Sequence, residues 1–240
     1  MAYTFCNSLQ CHGSKISQYE NKSYGVAWGI DSEEVERARQ TMPLLRGSLP
    51  DNQQRLIAER LTANPELTFA VLVLDREGDS KLLAQTIKSL GVGRNRYAST
   101  RILALTTAEV LQTSSDVNLR FLNLNTKQPL RSIEQALRGV ETDWFVLVEA
   151  GSEFTPSGLL TTALDLLATP DCRAVYGDEI VRGQHGEMGP VMRPNLNLDL
   201  LLSLPAGVAR HWLFNRQVWL DMGASAKRRG GLSSWIISYG

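Results

Sequence analysis

Two short acidic stretches contain the residue types that can do chemistry. In DWFVLVEAGSEFTP, Asp143 to Pro156, an apolar run ends in Glu149, Gly151 and Glu153; in AVYGDEIV a second apolar run ends in Asp178 and Glu179. Paired carboxylates suit two tasks. They can hold a divalent cation through hard oxygen ligands, which is useful where a diphosphate leaving group must be neutralised, and they can take or give a proton. The plainer readings are that Glu149 and Glu153 are solvated loop acids and that Asp178 and Glu179 cap the next turn.

Which reading holds depends on the elements around them. FAVLVL (69–74), RILAL (101–105), LRFLNL (119–124) and WFVLV (144–148) are short continuous apolar runs, the pattern of strands covered on both faces. Between them lie helix patterns: DREGDSKLLAQTIKSLG, a loop running into an amphipathic helix closed by Gly91; TAEVLQT; and PLRSIEQALRGV, with Pro129 at its start. SGLLTTALDLLAT follows the last strand. Alternating strands and helices predict a mainly parallel sheet between helices, and such sheets bind ligands beyond the carboxyl ends of their strands. The acids after WFVLV fall at such an end, where Gly151 would allow a close approach.

Before residue 66 the pattern differs. Residues 1–30 have little periodicity and read as an irregular arm, whereas DSEEVERARQTMPLLRG and PDNQQRLIAERLTAN read as two amphipathic helices. The expected organisation is an arm plus helical lead-in over 1–65 and an α/β domain over 66–240.

Composition excludes several classes. Lys+Arg and Asp+Glu both total 25, so no overall field draws the chain to nucleic acid or an anionic membrane. No apolar run reaches the roughly 20 residues of a membrane span, and MAYTFCNSLQ lacks the basic start and apolar core of a signal peptide. Cys6, Cys11 and Cys172 are too few for a disulfide framework, and Cys6, Cys11 and His12 lack the paired spacing of a zinc site. These features predict a cytoplasmic protein, at most peripheral at the inner face of the membrane. A dinucleotide enzyme is disfavoured, because no Gly-x-Gly-x-x-Gly follows the first strand.

The downstream text adds a resemblance. Tyr176, Asp178 and Glu179, then Arg193 and Pro194, then Asp199, Leu200, Leu201 and Ser203, and finally Gly223 and Ala224 stand in an order and spacing similar to family 2 glycosyltransferases, the inverting nucleotide-sugar enzymes. FAVLVLDREGDSKLLAQTIKSL resembles the first strand, loop and helix of that family, so the likeness spans roughly residues 67–235. The resemblance implies an A-type glycosyltransferase (nucleotide-diphospho-sugar transferase) fold, a Rossmann-like, mainly parallel sheet between helices.

The chain departs from that pattern at several positions. Leu74, Asp75, Arg76 and Glu77 replace a Pro-x-Tyr-Asn-like loop, Thr106 and Thr107 an acidic pair, and Glu134 an asparagine; Glu149, Ala150 and Gly151 stand where the family has Asp-x-Asp. Ser233 and Ser234 precede Trp235 in place of the usual acids, and the text ends inside an apolar segment, as a shortened reading frame would.

Inverting sugar transfer is one displacement at the anomeric carbon. A carboxylate takes the acceptor proton, and a metal or basic residues stabilise the departing diphosphate. On the resemblance, Asp178 and Glu179 are expected to be catalytic. Asp75 and Glu77 are expected to meet the nucleotide, Arg193 the phosphate, and Asp199 and His211 the substrate; Glu149 and Glu153 would bind Mg or Mn. Arg193 as a surface ion pair and His211 as a satisfied core histidine are the plainer alternatives. The expected partners are a nucleotide-sugar donor and a glycan or lipid-linked acceptor, in bacterial polysaccharide synthesis. A module of the same fold that has lost catalysis and serves in binding or scaffolding is the alternative.

Overall fold

The computed structural model describes residues 2–11, 51–90, 99–109, 116–155, 158–182, 188–191, 193, 199, 203 and 211–226. Phe69–Asp75, buried at every position, forms β2 inside the sheet, which is why residues 69–74 are continuously apolar instead of alternating. It pairs in parallel with β3 (Thr100–Thr106) on one side and β5 (Trp144–Glu149) on the other, and β4 (Leu119–Asn123) extends the parallel run beyond β3. β8 (Trp212–Asn215) runs antiparallel to β5 and to β6 (Ala174–Arg182), so β6 points the same way as β2 to β5. β7 (Met188–Val191) and β1 (Ala2–Cys11) are antiparallel partners of β6. The result, among the described residues, is one sheet of eight strands in the order β1-β6-β8-β5-β2-β3-β4, with β7 along β6.

Among the described residues, five helices accompany the sheet. α1 (Asp51–Thr62) realises the second helix of the expected lead-in; residues 31–47, the first, lie outside the described residues, as do most of TAEVLQT and Gly91. α2 (Ser80–Ser89) starts where Asp79 caps the N–H groups of Lys81 and Leu82. α3 (Pro129–Arg138) carries its proline in the first turn, where the missing N–H has no helical partner to lose. α4 (Gly158–Ala168) and α5 (Arg216–Ala226) complete the set.

Side-chain alternation splits the core into two layers. Val71, Val73, Ala104, Val146 and Val148 meet Leu83 of α2 and Leu159, Leu160 and Ala163 of α4, with Ile57 and Leu61 of α1 packed at the margin. Leu72, Leu74, Leu103, Leu105 and Phe145 meet Ile133 and Leu137 of α3 and Leu220 of α5 on the other face. Each fully buried side chain of this size contributes about 1.5–3 kcal/mol of transfer free energy. Mixed α/β architecture between helices therefore stands as the sequence implied.

Two particulars differ. Residues 2–11, within the expected irregular arm, form a strand on β6, with a register irregularity between Phe5 and Leu9. β6 also does not end at Asp178 and Glu179: it continues to Arg182, because β1 on one side and β7 on the other supply ladder partners for the segment around and beyond the acids.

Candidate active site

The register places the acids at one height. Val146 of β5 pairs with Leu213, and Leu213 with Val175 of β6. Glu149 and Asp178 each lie three residues further along parallel strands, so they stand level on either side of β8. Leu74 pairs with Glu149, which puts Asp75 one step beyond at the end of β2. The antiparallel β8 begins at Trp212, so His211 enters this same edge from the opposite direction.

Around β6 the polar side chains form one buried network. Glu179 accepts from Arg193 Nη2 at 2.6 Å on Oε2, and its Oε1 meets His211 Nδ1 at 2.9 Å. Arg193 also donates its backbone N–H to Asp178 Oδ1 at 2.7 Å. β8 covers Ala174–Tyr176 and β7 covers Glu179–Arg182, so the network sits where one neighbour of β6 gives way to the other. Burial alone would raise the Glu179 carboxyl, yet the His211 contact and the Arg193 guanidinium together hold it below the ordinary carboxylate range. The Tyr176 ring lies against Trp212 with centroids 4.6 Å apart and planes tilted by 54°, and burial, with the Asp178 charge nearby, pushes its hydroxyl up to about 12.

Glu149 is held differently. Arg76 Nη2 lies 3.1 Å from its Oε1, with both side chains about one-third exposed. Burial raises the Glu149 carboxyl, Arg76 and His211 pull it back, and Asp75 adds to the rise. Asp75 and His211, both distant in sequence, are thus each within electrostatic reach of Glu149.

The loop after β5 explains why a strand should end in Glu-Ala-Gly-Ser-Glu. Gly151 has φ +96°, and its N–H reaches Leu82 O at 3.1 Å and Thr86 Oγ1 at 2.9 Å on α2. A Cβ there would lie 3.3 Å from Leu82 Cδ2, which would have to give way slightly, so it is the conformation that calls for glycine. Glu153 accepts from Gln85, also on α2, and Phe154 N–H donates to Ser89 Oγ. The loop is a clasp on α2, and Glu153 serves the clasp.

Asp75 is likewise built into the fold. It is buried, with Oδ2 accepting the Thr106 hydroxyl at 2.6 Å and Oδ1 the Asp79 N–H at 2.9 Å. Thr107 Oγ1 donates to Arg76 O, so the two threonines at the end of β3 latch the loop after β2. Glu77, in that loop, and Asp199 are exposed.

A divalent ion finds no ready set of ligands here. Glu149 is paired with Arg76, Glu153 is bonded to Gln85 and Gly151 has no side chain to offer. Among the described residues no group of three or more His, Cys, Asp or Glu is placed to hold a metal. Glu149 and Glu153, the residues nominated for Mg or Mn, are engaged in this geometry by Arg76 and Gln85.

Comparison with known proteins adds little to these contacts. No protein-family model matches the chain, and no curated protein sequence matches it. Among solved structures it is similar to S. aureus TarS 1-349 at 13% identity and a TM-score of 0.45, over 65% of this chain and 49% of that one. The chain spans about half the length of that structure. Among the described residues no helix is long and apolar enough to cross a membrane.

Sequence reasoning passed over Arg76 as a partner of Glu149. Its signal was visible: it is the first residue beyond β2 at the carboxyl edge of the sheet, and a cation there faces the acid at the end of the neighbouring strand. A cavity of about 480 Å³ bordered by Arg101, Arg120 and Arg138 lies at the amino ends of β3 and β4, at the other end of the sheet from these acids.

Proposed function

We propose that the chain transfers a sugar from a nucleotide-diphosphate donor to an acceptor hydroxyl at the edge where β2, β5 and β6 end or widen. The observation that carries this reading is the bridge from Arg193 through Glu179 to His211. Residues 14 and 32 positions away from Glu179 meet it in a nearly dry site. Burying such a charged group is costly without compensation, so ionic networks of this kind at a ligand edge favour function over chance. The order of motifs from Tyr176 to Ser203 supports the same reading.

The residues divide the work according to their contacts. Glu179 has both oxygens engaged and a depressed carboxyl, which makes it a weak proton acceptor; it acts as a positioning residue for Arg193 and His211. Asp178 takes the acceptor proton. As the acceptor oxygen bonds to the anomeric carbon, the bond from that carbon to the diphosphate breaks, and the electron pair leaves on a phosphate oxygen. Arg193 offsets the developing charge by guanidinium contact. No step here passes through a metal.

The test is release of nucleoside diphosphate from a panel of nucleotide sugars with glycan acceptors. Asp178→Asn should lower turnover by about 10²–10⁴-fold, the usual contribution of a general base, while nucleotide affinity stays within a few-fold. Binding of a nucleotide sugar without turnover under any acceptor would favour the noncatalytic module, which the internally paired Glu149 and Glu179 also suit. Absence of binding to any nucleotide would overturn the sugar-transfer reading.

A further inference from the structure

We propose that Arg76 takes the place of a divalent cation, binding the diphosphate of the ligand directly, with Glu149 as its resting partner; this rests on the reading of the site as a nucleotide-sugar site. Three observations converge. Gly151 cannot become an acid without strain, since its φ is +96° and a Cβ would press on Leu82 at 3.3 Å. Glu153 is turned onto α2 by Gln85. Glu149 is bound at 3.1 Å by a guanidinium, which brings one positive charge to the place where a metal would stand.

The surroundings of Arg76 suit an anion more than a simple surface pair. Its backbone is fixed on both sides: Asp75 is held by Thr106 and Asp79, and the Arg76 carbonyl accepts from Thr107. The side chain therefore starts from a rigid point at the ligand edge, and 39% of its surface is open. A guanidinium matches two phosphate oxygens with parallel N–H bonds, and a diphosphate carries more charge than one carboxylate, so it can displace Glu149 from the pair. Released Glu149 lies within the field of His211, which lowers the cost of its charge. Binding is thus a partner exchange, and its sign at Glu149 is opposite to that of a metal ligand.

Calorimetric titration of the full chain with uridine diphosphate and with inorganic pyrophosphate, each in EDTA and in Mn²⁺, decides the matter. Affinity should be the same in both buffers within a few-fold. Arg76→Gln should lose about 10- to 100-fold with or without Mn²⁺, the scale of one charge-assisted bond, and Arg76→Lys should fall between. Glu149→Gln should bind more tightly in EDTA, because the competing carboxylate is gone. Binding that requires Mn²⁺ and disappears in Glu149→Gln overturns the inference, as does Arg76→Gln with unchanged affinity and a native circular dichroism spectrum, or failure of the wild type to bind either probe. Arg76-dependent binding of pyrophosphate with no response to any nucleotide would uphold the anion site and overturn the sugar-transfer reading alone.

Discussion

Nδ1 of His211 lies 2.9 Å from Oε1 of Glu179, and only 6% and 1% of the two side chains touch solvent. The same carboxylate is gripped at 2.6 Å by Arg193. One buried anion thus ties the residue before β8 to the second residue after β7, across a strand that neither of them belongs to. Among the described residues this carboxylate engages both Arg193 Nη2 and His211 Nδ1, which fixes the orientation of the two side chains relative to β6.

Glu179→Gln should therefore be among the most destabilising isosteric changes in the chain. Removing one partner of a buried pair leaves the other charge uncompensated, at a cost of about 3–5 kcal/mol. Glu134→Gln is the control: its pair with Arg138 is an exposed i,i+4 bridge on α3 and should cost only about 0.3–0.5 kcal/mol. Urea unfolding of both variants reads the contrast, and equal losses would contradict the assignment of Glu179 as the organiser.

Acid titration offers a second check, since two glutamates shift in opposite directions. Glu179 has a depressed folded value, so its contribution is present above the unfolded carboxylate value of about 4.3 and is lost as pH falls through the folded value. Glu149 has a raised one, so its contribution is present below the ordinary 4.5 and is lost as pH rises through the folded value. Urea midpoints followed across the carboxylate range should show a shallower acid loss in Glu179→Gln. Glu149→Gln should gain on the wild type as pH rises from the acid side to neutrality.

Much of this architecture was legible because burial on both faces writes a distinctive text. FAVLVL and WFVLV have no polar positions to alternate, and Pro129 marks the start of α3. Long-range pairing was the part that local pattern could not show. Ala2–Cys11 carries Thr4, Asn7, Ser8 and Gln10, which read as loop; its ladder comes from Val175–Arg182, more than 160 residues away. The same limit hid the inner part of β6. Asp178 and Glu179 look like the end of a strand because charges usually stay out of a covered sheet, and the partners that engage them here include Arg193 and His211, which lie beyond β7 and before β8. At Glu149 and Glu153 the position at the edge was readable, but the engagement of those carboxylates by Arg76 and Gln85 depends on neighbours across the loop.

Gly151 gives a prediction about both stability and metal. A non-glycine residue in this positive-φ conformation costs about 1–3 kcal/mol, and the Leu82 contact adds to it. Gly151→Ala should lower the thermal midpoint accordingly. Gly151→Asp, which restores the acid pattern Glu-x-Asp, should show the same loss without gaining Mn²⁺ affinity, because Glu149 is already paired with Arg76. Tight Mn²⁺ binding by Gly151→Asp in calorimetry would show that the backbone accepts an acid there after all.

The latch between β2 and β3 yields the last prediction. Thr106 donates to Asp75 at 2.6 Å and accepts the Ala108 N–H at 3.0 Å, so one hydroxyl joins a buried carboxylate to the turn after β3. Thr106→Val keeps the shape but removes both bonds and leaves a charged acceptor short of a donor, a loss of about 1–3 kcal/mol. The consequence should extend to ligand binding, since Asp75 also accepts the Asp79 N–H and thereby sets the loop that carries Arg76. Asp75→Asn, which can still accept but cannot supply the charge, should weaken pyrophosphate binding less than Arg76→Gln does. Thr106→Ser, which restores the hydroxyl, should recover most of the stability. Stability measured by urea unfolding and affinity measured by calorimetry should fall together in Thr106→Val and return together in Thr106→Ser; affinity unchanged while stability drops would separate the latch from the anion site.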